Sequence, residues 1–182
     1  MNPIKLLILI VLFSFFAILQ NSFFTYFSVM GSSANLVFIL FFILIFFYNI
    51  SADAKESDSY IILLAVVAGF FLDLFLPIYF GVSIISLLII YIIEKFITHL
   101  MVQNREKNLI FYFIFVFSLN FIVYQMLLYI SLKLLGVHFL GLSFSAHILG
   151  YLVYNLCFAC IGFYLYKKFF YKVTNNNQLK LL

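Results

Sequence analysis

Four stretches of this chain carry no Asp, Glu, Lys or Arg: residues 6–52, 74–93, 108–132 and 134–166. A helix that crosses a membrane needs about 20 apolar residues, so every stretch can hold a crossing, and the first and last can hold more than one segment or a segment with its loop. Polar and helix-breaking positions divide the pattern into six predicted helices, at 6–27, 36–50, 60–76, 82–101, 109–132 and 144–166. The turn Gly31-Ser32-Ser33-Ala34-Asn35 reverses the chain after the first, and the polar loop Ser51 to Asp58 ends the second. Pro77 stops the third, because it lacks an N–H and restricts the residue before it. Gly81 and Val82 follow so soon that the fourth helix must return beside the third. The runs lack the polar and apolar alternation of a barrel strand, and backbone groups in hydrocarbon must pair internally, which leaves helices as the element. Leu6 to Leu19 after Lys5, with the small residues Ser32-Ser33-Ala34 downstream, has the outline of a signal peptide. Its apolar stretch runs well past a normal h-region, so it reads as the first span.

Composition agrees with the pattern and narrows the class. The chain is 67% hydrophobic and 9% charged, with a mean hydropathy of +1.23, whereas soluble domains run about 25% charged. The expectation is an all-α integral membrane protein, a six-transmembrane-helix bundle forming a single domain over 1–182, with a basic cytoplasmic tail at 167–182. With six spans, Lys5, Lys55, Lys95, Arg105, Lys107, Lys167, Lys168, Lys172 and Lys180 fall on one side, nine of the ten basic residues, and Lys133 falls alone on the other. The positive-inside bias then places both termini in the cytoplasm, whereas five spans would carry the tail lysines outside. The net charge of +4 follows from cytoplasmic lysines beside anionic headgroups and implies no nucleic acid partner. Short connections leave no room for a soluble domain on either face, so the lipid bilayer and other membrane proteins are the expected surroundings.

Asp73 is the most informative ionisable residue, because a carboxylate within a span is costly and marks a functional site by default. Ala65, Gly69 and Asp73 recur at every fourth position and form one stripe, whose small members let a neighbouring backbone approach. Pro77 cannot donate to the Asp73 carbonyl. A carboxylate at a helix C-terminus also meets the negative end of the macrodipole, so Asp73 must be protonated or held by a cation or several donors. Lys133, His138 and His147 are the basic candidates on the same side. Two readings stand together: a carboxyl that caps a loop or ties the third helix to the fifth through Lys133, or a partner or ligand site.

The other polar groups read as packing. Asn120 and Asn155 lie near the middle of their spans, where an interhelical amide hydrogen bond contributes about 1 kcal/mol. Gln20 and Asn21 sit near the end of the first helix in the same role. Glu94 and Lys95 are expected to snorkel or to pair locally. Cys157 and Cys160 form a C-x-x-C inside an apolar helix, with neither a second pair nor a nearby charge to stabilise thiolates, so no metal or redox site is expected. His99, His138 and His147 lack metal-ligand spacing, no serine sits in a nucleophile elbow, and neither an enzyme nor a cofactor is expected.

The segment Gly69-Phe70-Phe71-Leu72-Asp73-Leu74, a short break, then Phe80-Gly81-Val82 and an apolar helix resembles the central signature of the MreD family, the rod-shape-determining membrane proteins of bacteria. Size, six-span layout and an opening helix ending in Leu19-Gln20-Asn21-Ser22 are similar too. The turn before the second helix departs from the family, with Gly31 and Ala34-Asn35-Leu36 where Gly and then Pro-Asp are usual. The resemblance implies a non-enzymatic subunit of the cell-elongation complex in the bacterial cytoplasmic membrane. Such a subunit binds an MreC-like membrane-anchored protein, and through it MreB-like filaments and the synthases of side-wall peptidoglycan. It also implies roles for the site: Gly69 for close packing, Asp73 with Pro77 at the break between the third and fourth helices, and Gly81 for the tight return.

The family is thought to share its fold with the S-components of vitamin transporters, which supplies the rival reading. On that reading Asp73, Lys133, His138 and His147 line a small-ligand pocket. It expects small residues on the first helix, where Leu6 to Leu19 offers only Ser14 and Ala17. Fold likeness alone decides neither reading. A membrane enzyme acting on lipid-linked substrates would need paired acids or a basic cluster that the sequence lacks.

Overall fold

The computed structural model describes residues 3–28, 33–50, 58–75, 80–100, 109–134 and 144–171. These form six α-helices: α1 (Pro3–Ser22), α2 (Leu36–Ile50), α3 (Asp58–Phe75), α4 (Val82–Leu100), α5 (Leu109–Leu134) and α6 (Phe144–Tyr166). A π-helical turn, Lys167–Tyr171, continues α6 into the expected tail. Among the described residues, four segments are long and apolar enough to cross a membrane: Asp58–Phe75, Val82–Leu100, Leu109–Leu134 and Leu149–Phe169. The apolar parts of α1 and α2 are shorter, Leu6–Ser22 and Leu36–Asn49. Pro77, Lys55, Arg105, Lys107, Lys172 and Lys180, which bear on the third helix's end and on the expected orientation, lie outside the described residues.

The first helix differs from the expected 6–27, because α1 stops at Ser22. Phe23 and Phe24 both donate to the Leu19 carbonyl, and tighter turns follow at Tyr26 and Phe27. The sequence supplies the cause. The Asn21 side chain donates to the Ala17 carbonyl at 2.8 Å, and Thr25 Oγ1 donates to the Asn21 carbonyl at 3.2 Å. Short polar side chains that capture carbonyls one turn back compete with the backbone ladder and loosen the helix there.

α2 is the centre of the bundle. From Asn35 to Phe47 only Leu40 and Leu44 escape full burial, as suits a helix that is apolar all round. At 15 residues it is about 22 Å long, short of the roughly 30 Å hydrocarbon core. Its neighbours cover most of it, leaving Leu40 and Leu44 partly exposed. Phe38, Phe42 and Phe46 recur every fourth residue on α2, and Phe113, Phe117 and Phe121 do so on α5. All six rings are fully buried. They interlock edge to face, Phe46 with Phe113 at 5.0 Å, Phe42 with Phe117 at 5.2 Å and Phe38 with Phe121 at 5.5 Å. Such pairs contribute about 0.5–1.5 kcal/mol each beyond area burial. Around this zipper α3 and α4 form the most extensive helix pair, followed by α4 with α5, α2 with α6 and α1 with α3.

Candidate functional site

The α3–α4 hairpin is built by the stripe identified at Ala65, Gly69 and Asp73. All three are buried, with Ala68 and Leu72 beside them. A Cβ placed on Gly69 would lie 2.5 Å from the Ile84 Cα and 2.7 Å from its nitrogen, both backbone atoms. Only glycine admits this approach. It sets α3 against the first turn of α4 and leaves the Asp73 carboxylate, one helical turn further on, facing the start of that helix.

Asp73 is 5% exposed. Its Oδ2 accepts the Gly81 N–H at 2.7 Å and its Oδ1 accepts the Ser83 N–H at 2.9 Å. Gly81 accepts the first bond of α4 from the Ile85 N–H at 3.0 Å, so it is the N-cap residue of that helix. The opening N–H groups of a helix have no partner of their own, and its positive end favours an anion. Asp73 therefore acts as an N-cap delivered from the preceding helix. The amides of α4 compensate for the unfavourable dipole of α3 and for the loss of water. Gly81 adopts a φ of 103°, a region that side chains with a Cβ seldom enter. Phe70 on α3 and Phe80 before the cap close the hairpin edge to face at 5.6 Å.

Of the alternatives left open by the sequence, the described geometry is that of a cap held by several donors. The Asp73 oxygens bond backbone amides eight and ten residues ahead, whereas Lys133 is an exposed side chain in the last turn of α5. His138 and the side chain of His147 lie outside the described residues.

Further polar groups gather where α2 and α4 begin. Asn35 caps α2 by accepting the Phe38 N–H at 3.1 Å, and its own N–H donates to Asn155 Oδ1 of α6 at 2.7 Å. The Val37 N–H donates to Gln20 Oε1 of α1 at 3.3 Å. Gln20 and Asn155, read from sequence as interhelical glue, thus serve the orphan donors of one helix end. The Tyr124 hydroxyl of α5 stands near Ser83 and Asn35. Among the described residues, the Tyr124 hydroxyl, Ser83 Oγ and Asn120 Oδ1 are buried and lack a hydrogen-bond partner.

The largest departure concerns Glu94, which is 0% exposed and so neither snorkels nor pairs with Lys95. It accepts hydrogen bonds from the Asn49 side chain of α2 and from Thr98 Oγ1 at 2.9 Å. Thr98 in turn lies 3.3 Å from the Tyr112 hydroxyl of α5. Lys95 turns outward to Asp58 at the start of α3, with contacts of 2.7 and 2.9 Å, and the Tyr91 hydroxyl adds a third bond to that carboxylate at 2.5 Å. The signal for Glu94 was present in the spacing. Ser83, Ser86, Leu87, Ile90, Tyr91, Glu94 and Thr98 are the buried positions of α4, so its polar residues share the interior face. Among the described residues two carboxylates are therefore buried, Asp73 before the first turn of α4 and Glu94 near its last.

Cys157 is exposed and Cys160 half-buried, both as free thiols. Among the described residues no three His, Cys, Asp or Glu side chains gather as metal ligands. What the arrangement does chemically is hold helix ends: side chains from α1, α3 and α6 complete the N-termini of α2 and α4. No family model, curated protein or solved structure matches the chain.

Proposed function

We propose that this chain is an MreD-type subunit of the bacterial cell-elongation complex, a non-enzymatic scaffold of six spans in the cytoplasmic membrane with both termini in the cytoplasm. One observation carries the reading. The residues through which the sequence resembles that family, Gly69 to Leu74 and Phe80 to Val82, include the glycine of closest helix approach, the capping carboxylate and the positive-φ glycine. They build one hairpin, closed by backbone approach and capping. A hairpin fixed this firmly presents constant outer faces to other membrane helices, which is what a scaffold for an MreC-like anchor requires. Small-residue packing and internally satisfied polar groups are how helices associate where water is absent.

The test is deletion of the coding sequence in its own host, followed by capture of the tagged protein from membranes. The expected result is loss of rod shape, restored by the intact chain, and co-purification of a protein with one membrane helix and a coiled coil. Rod-shaped deletants would overturn the proposal, as would tight binding of a vitamin by the purified chain together with capture of an ATPase pair, which would assign it to the transporter S-components. Cysteine labelling at each chain end addresses the topology separately, and ends on opposite faces of the membrane would refute the six-span arrangement.

A further inference from the structure

Between α1 and α6 an open trough of about 970 Å³ exposes the side of α2. α1 packs on α2 and α3, and α6 on α2 and α5, so the two walls stand apart. Leu12 and Phe16 form one wall, Ile161 and Leu165 the other, and Leu40 and Ile43 the floor. Leu40 and Leu44 are the two incompletely buried positions between Asn35 and Phe47 of α2, and both line this trough. Ile8 to Leu19 on α1 and Phe158 to Phe169, on α6 and the turn that continues it, bound it, each about 17 Å along the helix axis. That is close to the hydrocarbon depth of one leaflet, about 15 Å, and well short of the roughly 30 Å that a crossing helix occupies.

One end of the trough differs from the rest. Tyr60 and Tyr166 line it there, followed by Phe169, and the Lys168 ammonium lies 5.7 Å over the Phe169 ring. Lys167 and Lys168 are both exposed. An apolar channel one leaflet deep that ends at two phenols, with Lys168 beside the Phe169 ring and the exposed Lys167 next in sequence to Tyr166, has the shape and polarity of a phospholipid carrying a negative headgroup. We propose that the trough is a binding site for an anionic phospholipid, its acyl chains against α2 and its phosphate at Lys167 and Lys168. This site stands whether or not the chain belongs to the elongation complex.

The chain contains no tryptophan, so a single introduced indole reports on one place. Ile161→Trp puts it in the trough wall, and Ile92→Trp puts it on the outward face of α4, where Ile92 is 64% exposed. Each protein is reconstituted in bilayers containing phosphatidylglycerol or phosphatidylcholine with brominated acyl chains, which quench indole on contact. At the trough, phosphatidylglycerol is expected to be preferred about thirtyfold, the effect of two lysines near an anionic lipid surface, with both lipids quenching the α4 control equally. The double variant K167Q/K168Q should abolish the preference. Equal quenching at both positions, or a preference that survives the lysine changes, would overturn the site. So would a trough indole quenched by neither lipid while the control is quenched, which would show a protein segment, such as a second copy, in the trough. Leu165→Trp on the same wall repeats the measurement if the first variant folds poorly.

Discussion

Removing the Asp73 carboxylate tests the central geometric claim, because its partners are amides with unequal access to other acceptors. In Asp73→Ala the Ser83 N–H loses its acceptor in a fully buried position, and an unsatisfied buried donor costs about 1–3 kcal/mol. Gly81 is only half-buried, so its N–H can recover part of the bond lost from Oδ2 through water or a headgroup. Loss of the anion at the start of α4 adds about 0.3–1 kcal/mol. Relief of the carboxylate's own desolvation offsets part of this, so the sum is about 1–4 kcal/mol, or a fall in Tm of about 3–12 °C for a chain of this size. Asp73→Asn keeps one acceptor, which can serve Ser83, and turns its NH₂ toward the more accessible Gly81, so about half the loss is expected. Lys133→Met should change little, because Lys133 is exposed and takes no part in the cap. The measurement is thermal unfolding in nanodiscs, with hydrogen exchange at the Ser83 amide as a local readout. A Lys133 variant as damaging as Asp73→Asn would refute the capping assignment and restore the ion pair. An Asn variant as damaging as Ala would show that the charge and not the acceptor geometry matters.

Gly69→Ala should destabilise by about 1–3 kcal/mol or more, because its Cβ would press on Ile84 backbone and overpacking at a rigid contact forces the helices apart. Gly162→Ala meets only the flexible Ile43 Cδ1, at 2.6 Å, and should cost less than about 1 kcal/mol; equal Tm shifts for the two would contradict the close approach. Glu94→Leu removes the buried carboxylate that accepts from Asn49 and Thr98 and should cost about 1–3 kcal/mol, with Glu94→Gln intermediate, whereas an exposed, snorkelling Glu94 would tolerate both in the same unfolding assay. Tyr124→Phe removes a buried hydroxyl that has no partner among the described residues, and stability should hold or rise by up to about 1 kcal/mol. A clear drop in Tm would show that this hydroxyl is engaged.

The helices were legible because apolar character is a property of composition. Apolar stretches divided by polar and helix-breaking positions mark α1 to α6 to within a few residues, apart from the early end of α1, where Asn21 and Thr25 bonds to the backbone outweigh continuing apolarity. The stripe of Ala65, Gly69 and Asp73 was legible for a related reason, since spacing by four places residues on one helix face. The partner of Asp73 was not, because a backbone amide is identical at every non-proline position and carries no sequence mark. Glu94 was misread beside Lys95, although Ser83, Ser86 and Thr98 share its face. Neighbours in sequence point in different directions on a helix, so adjacency suggested a pairing that geometry does not make.

Sequence alone therefore determined that this is a chain of apolar helices, roughly where each begins and ends, and that one small-residue seam delivers a carboxylate to a helix end. Only the tertiary structure decided that α2 is the central helix, that Asp73 caps α4, that Glu94 is interior and that α1 and α6 stand apart to leave a trough. The division has a physical cause. Hydrophobicity and helical periodicity are summed along the chain residue by residue, whereas a hydrogen bond or a groove depends on distances between segments far apart in sequence, and those distances exist only once the helices have packed.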